Sequence, residues 1–113
     1  MDHERRGLRF PFAADGEIVS ATSPTSFISA RVTEISLRGC FKETYASFEL
    51  HTPVLLKIYN SGEYFEAEAS VLYANSSGLG LVFNEVKPLF RAILQQWVLA
   101  ALDKHPNTQL LPD

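Results

Sequence analysis

Residues 63–74 read EYFEAEASVLYA, twelve positions in which Phe65, Ala67, Ala69, Val71 and Tyr73 alternate with Tyr64, Glu66, Glu68, Ser70 and Leu72. An extended chain points successive side chains to opposite faces, so the first set predicts a buried face and the second a solvated one. Glu66 and Glu68 share the second face. Such a pair invites an acid/base reading, but alternating carboxylates on an antiparallel strand mark its wet side. Upstream, Ser61-Gly62 is a hairpin signal leading back to Pro53–Asn60, where Val54, Leu56 and Ile58 alternate with Lys57 and Tyr59. Downstream, the turn-prone Asn75 to Gly78 leads into a strand over Leu79–Asn84.

The same period of two recurs before this hairpin. It predicts short strands over Glu17–Thr22, ended by Ser23-Pro24-Thr25, then over Ser26–Ile35, and over Arg38–Glu43 after a turn at Ser36 to Gly39. Tyr45 to His51 reads as a loop. Six short antiparallel strands at these intervals predict an all-β fold, a small six-stranded barrel, because closure removes exposed edges. The end of the chain changes period. Leu89, Phe90, Ile93, Leu94, Trp97, Val98, Ala101 and Leu102 form a broad helical stripe, with Pro88 in the first turn and Pro106 beyond the end. One C-terminal helix is expected to pack over the barrel, and its stripe is wide enough for part of it to face a second copy in a homodimer.

A chain of 113 residues is the length of one domain. Residues 1–15 read as a flexible arm, with Asp15-Gly16 as its closing turn; 16–104 form the barrel and helix, and 105–113 a tail. The N-terminus lacks an apolar leader, and the longest purely apolar run, Trp97 to Leu102, is too short to span a bilayer. A cytoplasmic protein without membrane insertion is expected. Cys40 is the single cysteine, which agrees with a reducing compartment; a buried, inert thiol is its expected state. His3, His51 and His105 are scattered without ligand spacing, so no metal is expected. The Gly78-x-Gly80 pair has no following helix and is no nucleotide fingerprint.

Charge singles out the arm. The formal charge is -3, yet Arg5, Arg6 and Arg9 fall within five positions of one another, in ERRGLRF, residues 4–10. The rest of the chain is clearly acidic, which excludes a long basic face for a nucleic-acid polymer. A local cationic cluster suits a small anion. The other stretch left unexplained by folding is Glu34-Ile35-Ser36-Leu37-Arg38-Gly39, a strand end running into a tight turn.

These two stretches, in this order and before this strand pattern, resemble the PilZ domain family, receptors for the bacterial second messenger cyclic di-GMP. Arg5 and Arg9 fit its arginine-x-x-x-arginine motif; Ser36 and Gly39 fit its aspartate/asparagine-x-serine-x-x-glycine motif. The likeness continues through TPVLLKIY, YFEAEASVLY, GLGLVF and the terminal helix. It implies a PilZ-type barrel without enzymatic activity or cofactor, whose ligand is cyclic di-GMP. Arg5, Arg9, Ser36 and Gly39 would be the contacts, with Arg6, Glu34 and Arg38 as secondary ones.

A guanidinium pairs bidentately with phosphate or with guanine O6 and N7, and it also stacks on a base, whereas lysine supplies only charge. Ordering five arm residues costs roughly 5 to 10 kcal/mol, more than one charged hydrogen bond of about 1.5 to 3 kcal/mol returns. Several contacts must therefore form together, which predicts an arm mobile without ligand. Glu34 departs from the motif: one methylene longer than aspartate, it braces the turn less well. That departure keeps open an alternative, a module that binds no nucleotide and serves as an adaptor for a protein partner in motility, secretion or polysaccharide synthesis.

Overall fold

The computed structural model describes residues 9–20, 23–44 and 46–104. Among the described residues seven strands precede one helix: β1 Phe10–Ser20, β2 Ser23–Ser29, β3 Arg31–Ile35, β4 Gly39–Glu43, β5 Pro53–Asn60, β6 Glu63–Ala74, β7 Gly78–Glu85 and α1 Pro88–Lys104. They form one antiparallel sheet in the order β2-β1-β3-β4-β7-β6-β5, and β1 also pairs with β5. This last pairing closes the sheet. β2 and β3 are one long strand broken near Ala30; β3 meets the first half of β1, and β2 extends along the second half. The barrel is therefore six-stranded, as the alternation predicts.

Three local expectations are corrected. The stretch Phe10 to Asp15, expected in the arm, is already β1: Phe10 pairs with Ile35 and Pro11 with Glu34, and Phe10 is buried. Asp15-Gly16 is not a turn but mid-strand, facing Tyr59 and Ile58 of β5. The strand expected to stop at Ser23-Pro24-Thr25 instead ends at Ser20, and residues 23–29 form β2, which among the described strands pairs with β1 alone. An edge position is where a strand tolerates proline.

The interior is filled by the alternating set. Ile18, Val32, Ile35, Leu56, Ile58 and Phe65 are wholly buried, each contributing about 1.5 to 3 kcal/mol relative to an exposed side chain. Ser61 and Gly62 both take positive φ, 53° and 82°, between paired Asn60 and Glu63. That is the primed two-residue turn whose twist matches a hairpin. Helix α1 packs on the barrel through buried Leu94, Trp97 and Ala101. The Trp97 ring lies 5.4 Å from Phe12 and 6.0 Å from Phe65, and its Nε1 donates to Glu63 Oε1 at 2.8 Å.

Among the described residues one interior side chain is charged. Lys42 has no solvent exposure; its Nζ crosses the barrel from β4 and donates to the carbonyls of Glu17 and Lys57, both at 2.9 Å. Those two residues face each other in the β1–β5 seam. Burial lowers the Lys42 pKa from its ordinary 10.5 to about 8, with Cys40 and Glu17 opposing the shift. Gly16 sits beneath the ammonium, where a Cβ would come within 2.7 Å of Nζ. This is why the glycine read as a turn belongs in a strand.

Candidate functional site

The Ser36–Gly39 turn is built as its residue types dictate. Ser36 is buried, and its Oγ accepts from the amides of Arg38 and Gly39, both at 3.1 Å, while the Ser36 amide donates to Gly39 O at 2.9 Å. A short hydroxyl so engaged braces the loop. Gly39 answers a packing demand: a Cβ there would lie 2.0 Å from Leu81 O on β7. Both residues thus have structural reasons for their identity that need no ligand.

Arg9 and Glu34 come together. Arg9 Nε lies 3.5 Å from Glu34 Oε1, with the side chains 46% and 45% exposed, and Arg9 Nη1 donates to the Tyr73 hydroxyl at 2.9 Å. An ion pair this exposed is worth about 0 to 1 kcal/mol, because water and salt screen it. Its members are free to exchange partners. Arg38 stands apart from this group: its side chain lines a cleft of about 400 Å³ with Leu37, Glu85, Arg91 and Leu94, beside α1. Arg5 and Arg6, and the mobile arm predicted around them, lie outside the described residues, as does the 105–113 tail.

Tyr73 is where alternation misleads. The β6–β7 register shifts between Val71 and Tyr73, so Val71 faces Leu81 but Tyr73 faces Gly80. Leu72 is the extra residue of a bulge, and it is left 54% exposed. Tyr73 consequently leaves the buried face of Phe65 and Val71 and lies against Gly80, where a Cβ would fall 2.2 Å from its ring. A second register shift, between Val32 and Glu34, aligns Glu34 with Phe41. The signals available in the sequence were the adjacent apolar pair Leu72-Tyr73 and a glycine opposite it.

Glu66 accepts a hydrogen bond from Tyr64, and Glu68 is exposed. Cys40 is buried, and that burial raises its thiol to about 11, with Lys42 opposing. A thiol held protonated is inert as a nucleophile. Among the described residues no three His, Cys, Asp or Glu side chains gather as a metal ion would need, and no helix is long and apolar enough to cross a membrane.

A family model described as PilZ domain matches residues 3–100. No curated protein matches the chain. Among solved structures, the PilZ domain of CeSA from a cellulose-synthesizing bacterium is 16% identical with a TM-score of 0.66, covering 81% of this chain and 95% of that one. The PilZ domain of YcgR from Escherichia coli, solved with c-di-GMP, is 13% identical with a TM-score of 0.67, covering 90% and 93%. The Bacillus subtilis inhibitor of motility MotI/DgrA is 20% identical with a TM-score of 0.67, covering 86% of this chain and 50% of that one. At these identities the likeness is one of fold.

Proposed function

This chain belongs to the PilZ domain family, and on that premise we propose that it is a non-catalytic receptor for cyclic di-GMP, gripping the nucleotide between its N-terminal arginines and the outer face of the barrel beside the Ser36–Gly39 turn. The observation that carries this reading is Arg9, exposed, held among the described residues by a screened carboxylate and one phenol, and immediately before the start of β1. A guanidinium so placed is available to a doubly anionic ligand, and Arg5 and Arg6 precede it on the same segment. Ligand capture would pin the arm to the barrel and change the surface offered to a protein partner, so the output is altered association.

Titration calorimetry of the purified chain with cyclic di-GMP tests the reading; heat of binding that Arg9→Ala diminishes supports it. The Arg9–Glu34 pair favours one rival, a PilZ module that binds no nucleotide and acts as a protein adaptor, since the arginine already has an anionic partner. Absence of heat, with NMR showing a folded barrel, selects the rival.

A further inference from the structure

Closure of the barrel leaves one strand edge open. Among the described strands β2 pairs with β1 alone, and β4, which runs beside β3, stops at Glu43 opposite Arg31 and does not continue along β2. A cleft of about 670 Å³ lies along that edge. The register shows which backbone groups face it. Ala30 N–H donates to Gly16 O at 2.9 Å, and from there Glu17 faces Ser29, Ile18 faces Ile28 and Val19 faces Phe27 without a break. Opposed residues of an antiparallel pair alternate between bonded and unbonded. Ile28 therefore exchanges its hydrogen bonds with Ile18, while Phe27 and Ser29 turn their N–H and C=O groups to the side that holds no described strand. The Phe27 side chain is 59% exposed. Natural edges are blunted by charge, proline or a bulge. Here the bulge between Val19 and Ser20, and Pro24, guard the start of β2, whereas its end is unguarded and no residue of Ser23–Ser29 is charged.

We propose that residues 27–29 are a self-association edge, to which a second copy of this chain adds its own β2, antiparallel, about a two-fold axis at Ile28. Phe27 of each copy then exchanges hydrogen bonds with Ser29 of the other. An antiparallel edge is its own complement under a two-fold rotation, so the second copy supplies every donor and acceptor that this edge lacks. The two Phe27 rings fall diagonally on one face of the joined sheet, within reach of each other. The cleft suits such a strand. Ser29, Thr44, Ala46 and Ser77 give it a neutral lining, and its charges, Arg31 and Glu43, already face each other in the β3–β4 register. An uncharged β2 enters without stranding a charge away from water. This edge is separate from the stripe on α1, and pairing through it needs no nucleotide, so it stands or falls apart from the receptor reading. A strand of seven residues is well short of the roughly 20 to 30 residues a side of a standard interface, which makes the dimer weak and dependent on concentration.

Sedimentation equilibrium of the full chain over roughly 0.01 to 1 mM should show monomer passing into dimer. Amide hydrogen exchange followed by NMR gives the register: Ile28 should be protected at every concentration, and Phe27 and Ser29 should gain protection only as the dimer forms. Phe27→Lys sets like charges side by side across the axis and removes an apolar contact, and should weaken dimerisation at least about tenfold. Ser29→Pro deletes an outward N–H while leaving the Ile28–Ile18 bonds in place, a substitution an edge strand tolerates, and should act in the same direction. Leu99→Lys, at a side chain 64% exposed on α1, should leave the dimer unchanged. A chain that stays monomeric to the top of the range overturns the proposal; Phe27 and Ser29 amides protected in that monomer would show another part of the chain covering the edge. A dimer that both Phe27→Lys and Ser29→Pro spare overturns it equally, and its loss in Leu99→Lys would assign association to the helix.

Discussion

Two cations of this barrel, Lys42 and Arg9, differ in every respect that decides what a charge can do. Lys42 is sealed inside, bonded at 2.9 Å to two backbone carbonyls that cannot move without opening the β1–β5 seam. Arg9 is 46% exposed on the outside, paired with a carboxylate at 3.5 Å and a phenol at 2.9 Å. The buried charge is expensive to desolvate and has no alternative partner, so it belongs to folding. The surface charge gains little from its present partners and can leave them for a better anion, so it belongs to recognition. Burial and the mobility of the acceptors, rather than the sign of the charge, separate the two roles.

The hardest test of that division is Lys42→Ala. It empties a long side chain's volume and strips two carbonyls of a donor, and should cost about 4 kcal/mol of unfolding free energy in urea titrations. Lys42→Met, which fills the space without charge, should cost far less or even stabilise. Molecules of either variant that remain folded should bind cyclic di-GMP like the wild type. A Lys42→Met protein that is folded but fails to bind would show the interior charge acting on the ligand and break the division.

Titration gives the next largest effect. The Lys42 pKa is lowered from 10.5 to about 8 in the folded state, so between those values the unfolded chain holds a proton that the folded chain has released. Stability must therefore rise with pH across that window, and below about pH 8 the full penalty of the buried charge is present. Wild type measured against Lys42→Met should gain on the order of 3 kcal/mol as pH rises from 8 to 10.5. The comparison with a variant matters because Cys40 acts the other way: its thiol, raised from 9.0 to about 11, makes stability fall between those values. A flat difference between the two proteins would mean that the ammonium is solvated after all.

Why one region was legible in the sequence and the other was not follows from the same contrast. Alternation along Pro53–Asn60 and Glu63–Val71 identified the buried residues Val54, Leu56, Ile58, Phe65, Ala67, Ala69 and Val71, because burial of one face is what fixes strand register. The Ser36–Gly39 turn and Ser61-Gly62 hairpin were legible through local backbone chemistry. Lys42 was overlooked even though it lies in phase with buried Cys40, since its interior position depends on carbonyls 15 and 25 residues away in the chain. Gly16 was misread for the same reason. The alignment of Glu34 with Phe41 and of Tyr73 with Gly80 depends on two bulges that reset the phase between strands, and a bulge is settled by pairing across strands rather than by its own residues. Arg9 stands out by local charge and Glu34 by its place in a strand end that folding leaves unexplained, and family resemblance links the two stretches; their contact needs the register.

Arg9→Ala tests the outer half of the division. Its exposed ion pair predicts a change in unfolding free energy within about 0.5 kcal/mol, while affinity for cyclic di-GMP should fall about thirtyfold, roughly 2 kcal/mol, in calorimetry. The inverse result, lost stability with unchanged affinity, would place Arg9 with Lys42 as a structural charge.

The smallest expected effect discriminates most finely. Glu34→Asp draws the carboxylate back by one methylene, away from an Arg9 contact that already stands at 3.5 Å. If the pair restrains Arg9, the ligand's phosphates then compete with a weaker internal anion, and affinity should stay level or improve by up to about threefold, a gain below 1 kcal/mol. Because both side chains are about half exposed, salt screens their attraction, and the difference between Glu34→Asp and wild type should shrink as ionic strength rises from 0.05 to about 0.5 M. Stability should not move. A loss of affinity that persists at high salt would instead make the longer carboxylate a direct acceptor for the ligand, fitted at its present reach, and would shift Glu34 from restraining the arginine to sharing its task.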